Sequence, residues 1–490
     1  MSLTEQRTGA VTAALAEDRL GVPSVVFFVI SAAAPLTVVA GVVSTAYAVT
    51  GVVGVPLAFV LLGAILAVFA VGYVTMARHV VNAGAFYAYT ARGLGRPAGV
   101  ATAWVALLAY NAVQVGLYGV IASAATPLLT DWFGVTPDWW AVALAAWLLT
   151  GALGLMRVDV NGKVLAVLLL AEIAVVVVFD LAGLAHPAAS GYSPEAFAPS
   201  SLLVPGMGAV IAVCVAAFAG FESSVVFSEE TKDPRRTVPI ATYIALAVIS
   251  GLYAISSWTV TVAVGSDKVV EASRAQGPGL IFELAGRHLG TTAATVGSVL
   301  FVTSILAAMI AFHNTISRYI FALGRERVLP SIFGRTSPPT GAPVSGSVAQ
   351  SVTGLVVIVI YAVSGLDPLV HLFFTVGSFG GFGVLLLLAG TSVAVLFFFT
   401  REPGLENAWR TRIAPGLASV LLLIVLGLAL VNFDTVLGVE PGSPLRWILP
   451  AVYLAAIVFG VAWGLTLRAT RPRVYANIGL GAQAAIGGDK

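Results

Sequence analysis

Residues 217–224 read Ala217-Phe218-Ala219-Gly220-Phe221-Glu222-Ser223-Ser224, in the middle of an otherwise apolar run from 205 to 228. Glycine, a carboxylate and two hydroxyls at mid-depth of a segment long enough to span a bilayer predict a broken helix. Non-helical backbone at that depth survives only where it lines protein or a water-filled cavity. A second interruption lies near the N-terminus, in Val29-Ile30-Ser31-Ala32-Ala33-Ala34-Pro35-Leu36-Thr37. Pro35 has no N–H and its ring clashes with the carbonyl four residues back, so the helix opens near 31–35. Taken alone, Pro35 is equally compatible with a packed kink, since Gly and Pro are common in membrane helices. Two interrupted spans at matching positions of two halves, one carrying a charge, favour a transporter with its site at the repeat interface. The half-helix N-termini would offer N–H groups to a solute carboxylate, and the opposing carbonyls would accept from an ammonium.

The surroundings of these two stretches are those of a polytopic membrane protein. Of 490 residues, 59% are hydrophobic and 10% charged, against about 25% charged in a typical soluble chain. The 25 Lys and Arg nearly balance the 23 Asp and Glu, which excludes a basic nucleic-acid binder and an acidic tail. One cysteine, Cys214, excludes an intrachain disulfide framework and a multi-cysteine metal cluster. The five histidines show no His-Glu-x-x-His spacing. No cofactor and no metal are expected.

A crossing helix needs about 20 mostly apolar residues. That window predicts twelve spans: 22–49, 54–76, 98–129, 139–156, 161–184, 205–228, 239–264, 290–323, 344–364, 368–399, 413–433 and 446–467. With the N-terminus inside, every Lys and Arg falls on the cytoplasmic side except Lys268, Arg274, Arg287 and Arg446. The positive-inside rule therefore predicts a multi-pass protein of the cytoplasmic membrane with both termini in the cytoplasm. The loop 265–289 holds an amphipathic stretch, Gly279–His288, readable as a short helix over the outer mouth or as an ordinary connection. The Gly- and Ala-rich tail Gly479–Lys490 predicts disorder.

Three motifs carry a family resemblance. Phe218-Ala219-Gly220-Phe221-Glu222-Ser223, running on to Glu229-Glu230-Thr231-Lys232-Asp233-Pro234-Arg235-Arg236-Thr237-Val238-Pro239-Ile240, resembles the sixth-helix signature of the amino acid–polyamine–organocation permeases. Asn82-Ala83-Gly84-Ala85-Phe86-Tyr87-Ala88-Tyr89 with Gly93-Leu94-Gly95-Arg96 resembles their loop after the second helix. Arg318-Tyr319-Ile320-Phe321-Ala322-Leu323-Gly324-Arg325-Glu326-Arg327-Val328-Leu329-Pro330 resembles the close of their eighth helix. The resemblance implies a leucine-transporter-like 5+5 inverted repeat with broken helices 1 and 6 and two peripheral helices. It implies an organisation of tail 1–21, first repeat 22–184, second repeat 205–400, peripheral helices 401–467 and tail 468–490. It also implies a substrate site at Ala33, Ala34, Pro35, Phe218, Ala219, Gly220, Phe221, Glu222 and Phe312, the last where relatives carry a larger ring. Phe218 and Phe221 flank the break as candidate gates, with plain packing the leading alternative for Phe221. Two positions depart from the family. Ala33-Ala34-Pro35-Leu36 stands where a Gly-Ser-Gly-like tripeptide is usual, and Glu172 stands where many sodium-independent relatives carry a lysine.

Glu172 and Glu222 are the acidic residues within the hydrocarbon core; Asp180 lies nearer the end of span 5. A charge there costs roughly 2.5–3.5 kcal/mol on insertion scales, so such groups face a cavity or a partner. Glu222 is a candidate for the solute ammonium or for proton-linked gating, and Glu172 for a proton carrier. The alternative for both is a permanently protonated carboxyl bonded to hydroxyls or carbonyls. Tyr110, Asn111, Gln114 and Tyr118 of span 3 are candidates for cavity lining or for interhelical bonding. His313 and Asn314 read as a proton path or as satisfied polar groups, and Asp159, Lys163 and 229–236 as rim charges. With no Lys or Arg at mid-depth, the interior favours a solute bearing an ammonium.

The sequence thus predicts a secondary transporter, not an enzyme, taking up an amino acid with protons. An amine or polyamine transporter, or an amino acid exchanger, is the alternative within the fold. Its partners are the ammonium-bearing solute, protons and the lipid bilayer, with no nucleic acid. A channel is disfavoured because no filter loop or repeated pore segment occurs. An ATP-driven pump lacks its Gly-x-x-x-x-Gly-Lys-Ser/Thr cradle.

Overall fold

The computed structural model describes residues 15, 18–192, 194–440 and 442–481, without the side chain of Asp159. Among these, eleven helices are long and apolar enough to cross a membrane, and a further apolar helix is shorter. In chain order they are α1 (Val22–Thr50), α2 (Val55–Ala77), α3 (Arg96–Phe133), the shorter α4 (Trp139–Gly154), α5 (Val158–Ala185) and α6 (Met207–Val225). They continue with α7 (Pro234–Val264), α8 (Thr291–Arg325), α9 (Val344–Ser364), α10 (Pro368–Arg401), α11 (Trp409–Val431) and α12 (Leu445–Thr470). Each coincides with a span predicted from the sequence. The strand-type pairing among the described residues is a single isolated bridge, Leu20 to Thr231. The protein is an all-helical polytopic membrane protein.

Burial orders the bundle. In the most apolar stretch of both α1 and α6, 89% of residues are buried, against 17% in α12. The broken helices are therefore central. Helix α1 packs against α5, α7 and α8, and the first half of α6 against α2, α10 and α11. Helix α3 crosses α8, α10 and α12. The peripheral helices turn apolar residues outward, such as Val356 and Val363 of α9 and Leu454 and Val458 of α12. Such a surface is stable only against lipid.

Both predicted breaks form. In α1 the helical segment Val22–Ala33 stops at Ala34, whose φ of 45° and ψ of 69° are left-handed. The helix restarts at Pro35 and passes through a π-helical stretch, Val38–Val42, before Val43–Thr50. A left-handed alanine costs about 1–2 kcal/mol, so the neighbouring contacts must hold it. In α6 the regular helix Met207–Ala216 gives way to turns and a 3-10 segment, Phe221–Val225, with Gly220 at φ 106°. A Cβ at Gly220 would lie 2.6 Å from the Ala32 Cβ. Glycine is therefore required twice over, by conformation and by the close approach of α1.

The loop between α7 and α8 contains two short helices, Val269–Gln276 and Leu280–Leu289, the second covering the predicted amphipathic stretch. Arg274 Nε donates to the Ala48 carbonyl at 2.8 Å, tying this loop to the end of α1. The disorder predicted from Gly479 is corrected for residues 479–481. The N–H groups of Gly479 and Gly481 donate to the buried Glu326 carboxylate at 2.6 and 2.8 Å. A carboxylate enclosed in protein needs such donors, and they hold this part of the tail. The rest of that prediction, 482–490, lies outside the described residues, as do residues 1–14, 16 and 17 of the N-terminal tail.

Candidate functional site

The break in α1 is closed by groups from two other helices. Leu36 N–H donates to Glu172 Oε1 of α5, across 136 residues of sequence. Thr37 N–H donates to the Ser304 hydroxyl of α8 at 3.3 Å, and the Thr37 and Ser304 hydroxyls bond to each other at 2.9 Å. Ser304 in turn donates to Glu172 Oε1 at 2.7 Å. On the other side of the break, the Tyr253 hydroxyl of α7 donates to the Ala33 carbonyl at 2.8 Å. Pro35 has no N–H to satisfy. The first turn of a helix leaves its N–H groups without intrahelical partners, and here one carboxylate and one hydroxyl occupy them.

The break in α6 is built around Glu222, which is fully buried. Its carboxylate accepts from the Tyr110 hydroxyl at 2.6 Å and from the Gly220 N–H at 3.0 Å. The Tyr73 hydroxyl donates to its backbone carbonyl at 2.9 Å. Tyr110 also meets Phe312 and Tyr319, with ring centroids 6.0 and 5.6 Å apart. One residue thus joins three helices: the Glu222 side chain holds α3 and the turn of α6, and its backbone carbonyl holds α2.

Between the breaks lies a cavity of about 150 Å³. Ala33, Ala34 and Thr37 of α1, Ala217 and Ala219 of α6, and Phe312 of α8 form its floor. It extends past Thr45, Val213, Phe373, Phe374 and Val436, toward the end of the bundle that carries Arg274. Among the described residues, the polar side chains on its wall are Thr37, Thr45 and Ser378, and no charged side chain lines it.

The opposite end, rich in basic residues, is sealed by ionic contacts. Arg318 Nε and Nη2 both donate to Glu230, the second at 3.0 Å, and Nη1 reaches the Asn314 carbonyl and side-chain oxygens at 3.0 Å. Both partners of this ion pair are buried. Arg325 and Glu229 form a second two-pronged pair at 2.6 and 2.7 Å. Glu326 accepts from Asn82 at 2.8 Å and Tyr87 at 2.6 Å, besides the two glycines of the tail. Burial raises the Glu326 carboxyl above the ordinary carboxylate range, against the lowering pull of these four donors. Arg19 and Leu20 N–H groups both donate to the Glu230 carbonyl at 2.9 Å, closing the N-terminal approach.

Comparison with known proteins decides the family. Residues 20–461 match the family model described as amino acid permease. The chain belongs to that family. Relatives of this permease include a methylthioribose transporter of Bacillus subtilis (strain 168), 24% identical over 289 residues, which are 58% of this chain and 56% of the relative. A low-affinity putrescine importer, PlaP, of Escherichia coli (strain K12) is 24% identical over 298 residues, 59% of this chain and 63% of the importer. Human cationic amino acid transporter 4 is 27% identical over 213 residues, 44% of this chain and 30% of that protein. The permease thus spans less than two thirds of the length of these relatives.

Of the nine residues that the resemblance assigned to substrate, Ala33, Ala34, Ala219 and Phe312 line the cavity. Pro35, Phe218, Gly220, Phe221 and Glu222 stand behind its wall. Phe218 packs on Phe59 and Tyr253, and Phe221 on Phe69. Helix α3 turns Val113, Gly116 and Leu117 to the cavity, not Tyr110, Asn111, Gln114 or Tyr118. Asn111 Nδ2 bonds its own helix at the Leu107 carbonyl, and Tyr118 meets Gly354 of α9. His313 is satisfied by the Ser347 hydroxyl at 2.8 Å, and Asn314 serves Arg318. Lys163 is exposed, and the Asp159 side chain lies outside the described residues. Thr45, Ser378, Phe373 and Phe374 join the site with no signal in the sequence that distinguishes them from other lipid-span residues.

Proposed function

We propose that this permease is a secondary transporter that takes up a small ammonium-bearing solute together with protons, by alternating access. The observation that carries the reading is the placement of Glu172. This carboxylate of α5 caps the opened first turn of α1 and accepts from Ser304 of α8, immediately behind the cavity floor. Ionised, it draws three helices together through charge-assisted bonds, which are about twice as strong as neutral ones. Protonation on Oε2 removes the charge and leaves Oε1 a neutral acceptor, so both bonds lose their charge assistance. The bonds to Leu36 and Ser304 weaken, and α1 is released from α5 and α8. A proton and a solute arriving from the cavity side would thus change the same contact.

The sealed basic end supports alternating access over a pore, because the cavity extends toward the Arg274 end while buried ion pairs close the other end. In this reading the basic end faces the cytoplasm, both termini lie inside, and the two five-helix repeats α1–α5 and α6–α10 rock around the breaks. Permease reconstituted in liposomes tests it. Saturable counterflow without single-channel currents is the expected result, and single-channel currents without counterflow would overturn it.

A further inference from the structure

We propose that the cavity selects a carboxylate-free, singly charged amine with an apolar body, such as an arylalkylamine, over an α-amino acid or a diamine. This rests on the transport reading above and narrows it. The α1 break has no N–H left for a solute carboxylate. Ala34 N–H is bonded to the Ile30 and Ser31 carbonyls at 3.1 Å, Pro35 has none, Leu36 N–H is held by Glu172, Thr37 N–H by Ser304, and Val38 N–H by the Ala34 carbonyl at 3.0 Å. At the α6 break the Gly220 N–H is held by the Glu222 carboxylate. The protein places a carboxylate of its own at each opening.

Electrostatics point the same way. A solute carboxylate would enter between Glu172 and Glu222, with no basic side chain among the described residues on the cavity wall to offset the repulsion. A single ammonium would be attracted by both acids through a low-dielectric wall. It would meet the carbonyl ends of the two interrupted helices, where Ala32, Ala217 and Ala219 line the space, and the ring of Phe312. A second ammonium would have no such place, because beyond the breaks the wall offers the Thr45 and Ser378 hydroxyls among Val213, Phe373 and Phe374, with no carboxylate to pair it, and an unpaired charge there is costly. A cavity of about 150 Å³ has room for a benzene-sized apolar body.

The test uses phenethylamine, phenylalanine and putrescine as competitors of labelled phenethylamine in counterflow, with ligand-induced thermal shifts of the purified permease as a flux-independent readout. Phenethylamine should compete at least about 10-fold better than either other probe, which corresponds to about 1.4 kcal/mol. Glu172→Ala frees the Leu36 N–H and should raise the phenylalanine-induced shift relative to that of phenethylamine. Glu172→Gln keeps an acceptor at that N–H but removes one of the two charges, so the relative phenylalanine shift should rise less than in the alanine variant. Phenylalanine or putrescine matching phenethylamine in the wild type would overturn the proposal while leaving transport standing, whether or not the alanine variant folds. Absence of saturable flux and of thermal shift with all three probes would overturn the transport reading itself.

Discussion

Replacing Glu230 by alanine strands a buried charge at the sealed end of the bundle. Arg318 is 1% exposed and would retain the two oxygens of Asn314 at 3.0 Å and the Phe227 ring 4.7 Å below its guanidinium, with no carboxylate. Removing one partner of a buried pair costs about 3–5 kcal/mol, and the cost falls on the closed conformation, since an opened end returns Arg318 to water. At the lower figure of about 3 kcal/mol the equilibrium shifts roughly 150-fold toward opening of the basic end. The chain makes the readout simple, because its one cysteine, Cys214, is fully buried. Ser228 directly precedes the two paired glutamates, is fully buried, and has a side-chain oxygen without a partner. A Ser228→Cys reporter should be labelled slowly by an impermeant maleimide from the basic side in the parent, and much faster with Glu230→Ala. Removing both charges, Glu230→Leu with Arg318→Met, should restore slow labelling, because paired removal of a buried ion pair is nearly neutral. Unchanged labelling in the single variant, or fast labelling in the double, would refute the ion pair as a latch.

Three further outcomes follow from the same geometry. Gly220→Ala sets a Cβ 2.6 Å from that of Ala32 in a residue at φ 106°; thermal stability should fall by about 2 kcal/mol or more and flux with it, and wild-type values for both would contradict the account of the break. Glu222→Gln keeps an acceptor for Tyr110 but loses the ionised acceptor at the Gly220 N–H, a loss of about 1–3 kcal/mol; transport should drop sharply in protein that still folds, whereas wild-type flux would remove Glu222 from the working parts. Truncation after Asn477 removes both glycine donors from Glu326; the same Ser228→Cys reporter should become more reactive, and no change would mean that the tail does not brace the closed end.

The fold was legible because its signals are local. Twenty-residue apolar runs, Pro35, and Gly220 beside Glu222 each act within a turn or two of backbone, so span positions and both breaks follow from sequence alone. The lining of the cavity depends instead on which face of each helix turns inward. On α3 the polar residues suggested one face, but the cavity takes Val113, Gly116 and Leu117, while Tyr110 serves Glu222 and Asn111 its own helix. In a bilayer, polar side chains seek protein partners first, so polarity marked helix contacts and left the cavity wall unmarked. The partner of Glu172 was hidden for a different reason: Leu36 lies 136 residues away, and the tail glycines on Glu326 lie 153 and 155 residues away. Only the folded bundle brings them together.

The account turns on Glu172 as the group that links a proton to the opening of α1. Solute uptake and proton uptake should be measured in the same liposomes across a range of external pH, for the wild type and for Glu172→Gln. The wild type should move protons with solute and show uptake that depends on pH. The glutamine variant should bind solute, carry no protons with it, and show a flat pH profile. Proton flux and a pH profile unchanged by the substitution would contradict the central claim.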